Sequence, residues 1–196
     1  MPRELEIEFK NMLTKEEFNV LCRRFGLTDA SFFKQVNDYF DTPTFGLKGK
    51  KSALRIRHVN GRHDFTLKQP HDGAVLETHQ DLSDDESKNL IQYGIMPAGE
   101  VEQAIAYLGI DVDQLLHIGE LMTKRTEIPY KNGKLFLDQS SYLDHHDYEL
   151  EYEAGDPISG GAIFQSFLLE SGLSPQPSKS KIVRLYEALK EKGAGA

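Results

Sequence analysis

Residues 4–10 alternate strictly, with Glu4, Glu6, Glu8 and Lys10 on one face and Leu5, Ile7 and Phe9 on the other. That period of two predicts a strand. Thr14 followed by Glu17 is a capping-box signal ahead of Phe18, Leu21 and Cys22, and predicts a helix that ends near Gly26. Phe32 to Asp41, rich in Phe, Val and Tyr and closed by Pro43, reads as a second strand. The runs Leu54 to Val59 and Asp64 to Lys68 flank Asn60-Gly61, a dipeptide suited to a hairpin turn with positive φ. Asn132-Gly133 does the same between Arg125 to Tyr130 and Leu135 to Asp138. Ala74 to Asp81 and Tyr148 to Ala154 complete about eight strands, and residues 84–93, 99–117, 159–171 and 179–191 carry apolar side chains at helical spacing. The expected class is α+β, an eight-stranded antiparallel β-barrel with helices packed on its outside. With no repeat and no linker between two compositions, residues 1–192 are expected to form one domain, and 193–196 (Gly-Ala-Gly-Ala) a disordered tail.

Composition narrows the function classes. A length of 196 residues with 39% apolar and 28% charged side chains is enough for a substantial core. A formal charge of −8 and an isoelectric point near 5.4 argue against general nucleic-acid binding. The single cysteine, Cys22, excludes an internal disulfide and a Cys-rich zinc site. The start Met1-Pro2-Arg3-Glu4 carries no apolar signal core and no run is long enough to span a bilayer, so a cytoplasmic location without a membrane partner is expected.

The charges are sorted by sign along the strands. The first offers Glu6 and Glu8, later ones Arg55 and Arg57, Lys68, Glu77, Arg125 and Asp138, and the last Glu149, Glu151 and Glu153. Each such face reads either as the solvated side of a half-buried sheet or as the lining of a polar interior, whose charges must then be paired or bound to metal. Carboxylates two apart on a strand project from one face about 6 to 7 Å apart, within reach of one cation. Arg and Lys spaced likewise suit a chain of phosphates. Periodicity leaves both readings open.

Three other signals carry less. Gly46-Leu47-Lys48-Gly49-Lys50-Lys51-Ser52 lacks the P-loop spacing and reads as a basic loop. His145-His146-Asp147 reads as a turn before the last strand, since consecutive residues seldom point at one ion. Cys22 reads as a small buried side chain.

Taken in order, Glu6-x-Glu8-x-Lys10, Tyr39-Phe40-Asp41-Thr42-Pro43, Leu54-Arg55-Ile56-Arg57, Thr66-Leu67-Lys68, Arg125, Asp138, Glu149-Leu150-Glu151 and Ser180-Lys181 resemble the CYTH superfamily, the triphosphate tunnel metalloenzymes, over nearly the whole chain. The resemblance implies a barrel whose interior binds a small-molecule triphosphate with Mg²⁺ or Mn²⁺. It implies metal ligation by Glu6, Glu8, Asp138, Glu149 and Glu151, and phosphate contacts from Lys10, Arg55, Arg57, Lys68, Arg125 and Lys181. Lys10 and the five carboxylates would be the catalytic set. Glu77 falls at a further acidic tunnel position, Tyr39 borders the site or the core, Lys181 is favoured over Lys179, and Arg184 shares the Lys181 helix face. One cation would neutralise the phosphate chain, and a second, on Asp138, Glu149 and Glu151, would activate the attacking water. The expected activity is hydrolysis of inorganic triphosphate or of an organic one such as thiamine triphosphate. Cyclisation of ATP to cyclic AMP and a non-catalytic triphosphate-binding module are the alternatives, and a homodimer is compatible with all three.

Overall fold

The computed structural model describes residues 3–194. Nine strands and six helices are assigned among them: β1 (Arg3–Glu6), β2 (Glu8–Leu13), α1 (Lys15–Arg24), β3 (Phe33–Asp41), α2 (Gly46–Gly49), β4 (Ala53–Val59), β5 (Arg62–His71), β6 (Ala74–Leu82), α3 (Asp84–Tyr93), α4 (Glu100–Tyr107), β7 (Leu116–Tyr130), β8 (Gly133–Tyr142), β9 (His145–Ala154), α5 (Pro157–Glu170) and α6 (Lys181–Ala194). The expected opening strand is broken at Ile7: Glu6 in β1 pairs with Val75 of β6, whereas Glu8 in β2 pairs with Glu153 of β9. The strand count is nine rather than eight for that reason. The expected tail is helical at Gly193 and Ala194, while Gly195 and Ala196 lie outside the described residues.

The chain forms two compact units, each discontinuous in sequence: one from the start of the chain through Glu6 with Gln35–Leu121, the other Ile7–Lys34 with the chain from Met122 on. In the first unit the strand order is β1-β6-β5-β4-β3, followed by the leading part of β7. One face of this sheet carries Leu54, Ile56, Phe65 and Leu67, all fully buried with Leu90 of α3 and Val101 and Ile105 of α4. Each such side chain contributes roughly 1.5–3 kcal/mol of burial. Helix α3 starts on a capping box, Ser83 with Glu86, and stops at Gly94 (φ 68°). The Asn60-Gly61 turn is as expected: both residues have positive φ, and Val59 faces Arg62.

In the second unit the rest of β7 is followed by β8, β9 and β2. Leu135, Leu137, Leu150 and Tyr152 pack with Phe18 and Leu21 of α1 and Phe164 and Phe167 of α5. The Thr14–Glu17 capping box predicted from the sequence starts α1, with Glu17 N–H donating to Thr14 Oγ1 at 3.1 Å and Thr14 N–H to Glu17 Oε2 at 2.7 Å. Helix α5 starts at Pro157 behind an Asp156 cap, a position where proline lacks only an N–H that would be unpaired anyway.

Three predicted local features change. The apolar pattern of 99–117 contains α4 only to Tyr107; the chain turns at Gly109 (φ 74°) and β7 begins at Leu116, nine residues before the expected Arg125. The second hairpin turns on Lys131-Asn132, with positive φ at Lys131, and Gly133 already pairs with Tyr130. Glycine is required at 133 because a Cβ there would collide with the Glu153 carbonyl oxygen and come within 2.8 Å of the Tyr152 hydroxyl. His145-His146-Asp147 opens β9 rather than forming the turn before it, which is Leu143-Asp144.

Candidate active site

The strand register of the second unit assembles its charges. Arg125 lies opposite Asp138, Asp138 opposite Glu149, and Glu151, two residues on and hence on the same face, opposite Lys10. Asp138 and Glu149 are fully buried and Glu151 nearly so. Their carboxylate oxygens lie within 4.8 Å of one another. Arg125 forks onto Asp138, Nε to Oδ1 at 2.7 Å and Nη2 to Oδ2 at 2.6 Å, and also donates to Glu151. Its guanidinium stacks 4.5 Å over the Phe136 ring.

Helix α6 delivers two more cations. Lys181 Nζ stands among the three carboxylates, 2.8 Å from Asp138, 2.6 Å from Glu149 and 2.7 Å from Glu151. Arg184 reaches Glu149 at 2.9 Å and Asp147 at 3.3 Å. Ser178, on the segment before α6, donates to Glu149. Lys10 bridges Glu8 at 2.8 Å and Glu151 at 3.3 Å. Burial alone would push the Asp138 and Glu151 carboxyls up, yet both are held below the usual range, Asp138 by Arg125 and Lys181 and Glu151 by Lys10, Lys181 and Arg125. Burial likewise opposes charge on Lys181 and Lys10, and the surrounding carboxylates raise both above the ordinary lysine value. Asp138, Glu151, Lys181 and Lys10 are therefore ionised at neutral pH.

The first unit holds a second charged face. Lys68 donates to Glu6 at 2.6 Å and also to Glu77, its cross-strand partner. Arg57 donates through Nε to Asn37 at 3.0 Å. Arg55 is buried opposite Tyr39, itself buried, and its Nε has no hydrogen-bond partner. Burial disfavours charge on this guanidinium, but Glu77 raises its pKa further. His79 sits 3.0 Å from both Asp64 and Glu77, and its hydrogen bond to Asp64 together with the adjacent Glu77 carboxylate lifts its pKa to about 9. Glu4, Glu77 and His79 come close enough to suggest a metal trio. An imidazolium is a poor metal ligand, however, and His79 serves as a counter-ion.

Of the eleven residues expected at the site, the second unit gathers Asp138, Glu149, Glu151, Lys10, Arg125 and Lys181 into one network, with Glu8 joined through Lys10. Glu6 and Lys68 pair with each other in the first unit, where Arg55 and Arg57 also lie. Between the two lysines, Lys181 enters the carboxylate group, whereas Lys179 pairs with the half-exposed Glu187. Sequence reasoning passed over Asp64, His79 and Ser178. The first two could have been found from period-two spacing, Asp64 sharing a face with Thr66 and Lys68, and His79 with Glu77.

The features set aside stay so. The N–H groups of the Gly46 region, Leu47 at 2.8 Å and Lys48 at 3.1 Å, donate to the buried Asp41, so that turn has no backbone cradle to offer a phosphate. His146 bonds Ser141 at 2.9 Å while Tyr142 donates to Asp147 at 2.8 Å, so the His-His-Asp triplet diverges. Cys22 is half-buried and its thiol pKa is raised by burial. No helix among the described residues is long and apolar enough to cross a membrane.

The carboxylate trio fits a hard divalent cation by its chemistry: three anionic oxygen donors on a rigid strand pair, with cations around them to offset the cost of burial. A family model described as "CYTH domain" matches residues 4–186. A Bacillus subtilis (strain 168) protein named "Putative triphosphatase YjbK" is 44% identical over 187 residues, 95% of this chain and 97% of that one. A Bacillus halodurans crystal structure, described as a "putative adenylate cyclase", is 43% identical with a TM-score of 0.91, covering 94% of this chain and 98% of its own. Hippeastrum HpAC1, described with a dominant triphosphatase activity, shares the fold at 20% identity and a TM-score of 0.76, over 94% of this chain and 96% of its own. The α+β antiparallel barrel class read from the sequence is upheld, with nine strands in place of eight. The chain belongs to the CYTH domain family.

Proposed function

We propose that this chain is a divalent-metal-dependent phosphohydrolase of a linear triphosphate, inorganic or organic. The observation that carries the reading is the buried trio Asp138, Glu149 and Glu151, ringed by Lys10, Arg125 and Lys181. Mg²⁺ or Mn²⁺ held by these carboxylates would neutralise phosphate oxygens and acidify a water. Arg125 fixes the orientation of Asp138 and Glu151 by its fork. Lys10 and Lys181 supply compact positive charge of the kind that stabilises phosphoryl transfer. In the first unit, Arg57, Lys68 and above all Arg55 offer phosphate-binding donors, since a buried guanidinium with an unmet N–H favours an anionic acceptor. Glu6 and Glu8 remain candidate outer ligands, each paired with a lysine.

The test is release of phosphate from tripolyphosphate with Mg²⁺ or Mn²⁺, from about pH 6 to pH 10, a range that brackets the ionisation of a metal-bound water. Glu151→Gln removes a charge at nearly constant volume. It is expected to abolish release while leaving the circular dichroism spectrum unchanged. Cyclic AMP and pyrophosphate from ATP would replace hydrolysis with cyclisation, the activity named for the B. halodurans relative. Metal-linked binding without turnover would replace the enzyme with a binding module, and activity retained by the Gln variant would overturn the assignment of the trio.

A further inference from the structure

In the first unit, outside the charged face described above, five side chains from five elements form one chain of contacts. His58 of β4 and His63 of β5 are cross-strand partners beside the Asn60-Gly61 turn, and their Nδ1 atoms lie 2.6 Å apart. The outer nitrogens are both engaged: His58 Nε2 contacts Asp38 Oδ2 of β3 at 2.8 Å, and His63 Nε2 contacts Asp84 Oδ1 at the start of α3 at 2.9 Å. The other Asp38 oxygen takes His117 Nε2 of β7 at 2.6 Å.

A carboxylate at Nε2 fixes the tautomer, placing the proton on Nε2 and the lone pair on Nδ1. Applied to both rings, this aims two imidazole lone pairs at each other. They repel unless something positive lies between them, and only a proton or a metal ion can. Carboxylate, imidazole, metal is the usual order by which a protein orients a histidine ligand, and here it occurs twice, mirrored about one point. The two carboxylates behind the rings, Asp38 shared with His117 and Asp84 at the surface, supply negative charge that favours a cation at the facing Nδ1 atoms. Both rings are about one-fifth exposed, so an ion has access from solvent. Two nitrogens on a tetrahedral ion at 2.0–2.1 Å stand about 3.3 Å apart, so the rings need to open by only about 0.7 Å.

We propose that His58 Nδ1 and His63 Nδ1 form a second, nitrogen-donor metal site that takes a divalent transition ion of the Zn²⁺, Ni²⁺ or Cu²⁺ class, with water completing its coordination. It is chemically separate from the carboxylate trio, since imidazole pairs select borderline ions over Mg²⁺. Such an ion would clip the β4–β5 hairpin and, through Asp38 and Asp84, brace it against β3 and α3.

The experiment is calorimetric titration of chelator-stripped protein with Zn²⁺ in millimolar Mg²⁺. Wild type is expected to bind one Zn²⁺ that His63→Gln no longer binds. Asp84→Asn, a change at an exposed carboxylate, should weaken binding about 10-fold or more, as loss of a ligand's orienting partner does. Glu151→Gln and His79→Gln should bind as wild type does, which separates this site from the trio and from the Asp64–Glu77–His79 group. One equivalent of Cu²⁺ should give an electron paramagnetic resonance spectrum split by two imidazole nitrogens. Absence of Zn²⁺ binding by wild type, or equal binding by wild type and His63→Gln, would mean that the contact holds a shared proton, and the proposal falls.

Discussion

Lys181 offers the most direct test of how the second unit tolerates its buried charge. Its ammonium stands 2.6 to 2.8 Å from three carboxylates, in the position a divalent ion bound by the same oxygens would take. Lys181→Met keeps the stem and removes the charge. Without metal, the trio then keeps Arg125, Arg184 and Lys10 but loses the one cation shared by all three. Deleting one partner of a buried pair costs about 3–5 kcal/mol. For a chain of this size that is a fall in melting temperature of about 6–20 °C. Excess Mn²⁺ should reverse much of it, because in the variant the ion need not displace an ammonium: at 100 times its dissociation constant a ligand adds about 2.7 kcal/mol. The assay is a pair of melts, in chelator and in Mn²⁺, for wild type and variant. The reasoning predicts a large deficit in chelator and a larger Mn²⁺-induced rise for Lys181→Met than for wild type. Equal melting in chelator, or equal rises with Mn²⁺, would refute it.

Two further outcomes follow from local geometry. The His79 pKa is raised from its ordinary value to about 9; its stabilisation is therefore complete below about pH 6.5 and lost as pH climbs through 9, a change of about 3 kcal/mol before solvent screening of this half-buried ring, which reduces it to about 1–2 kcal/mol. Urea unfolding at both ends of that window should show the loss, and His79→Gln should flatten it. Gly133→Ala should destabilise by about 3 kcal/mol, the upper end for overpacking, because the new methyl meets backbone. Gly61→Ala, at φ +74° with open space around it, should cost only about 1 kcal/mol; the reverse order in denaturant unfolding would show that backbone strain outweighs the clash.

What the sequence made legible were the features written in adjacent residues. The Thr14–Glu17 box, the Asn60-Gly61 turn and the i, i+2 charges need no knowledge of distant partners, and each occurs where its local chemistry demands. The 99–117 pattern misled for a physical reason. After α4 ends, Leu108, Ile110, Val112 and Leu115 still pack on the first unit's core, so apolar spacing continues although the helix does not. Gly133 misled in the opposite way: the residue type was right for a hairpin, but its cause is the close approach of Glu153, which no local window contains. The His58–His63 contact and its two carboxylates depend on register and on α3, and are invisible along the chain.

Periodicity could not decide whether the charged faces were solvated or buried, and burial decides it. In β8 and β9 the apolar face and the charged face are both withdrawn from water, with Leu137 and Leu150 on one and Asp138 and Glu149 on the other, all fully buried. Such a strand pair would be at least as stable with apolar residues throughout, because desolvating ions costs about as much as pairing them returns. Stability therefore does not explain the charges. The network joins five carboxylates, Glu8, Asp138, Asp147, Glu149 and Glu151, to four cations, Lys10, Arg125, Lys181 and Arg184. The excess carboxylates are the outlying Glu8 and Asp147; the buried trio itself touches all four cations. Under the proposed function the charges have a use that stability does not supply: an ion that displaces the Lys181 ammonium finds three oxygen donors already oriented, and Arg125, Arg184 and Lys10 stay beside them.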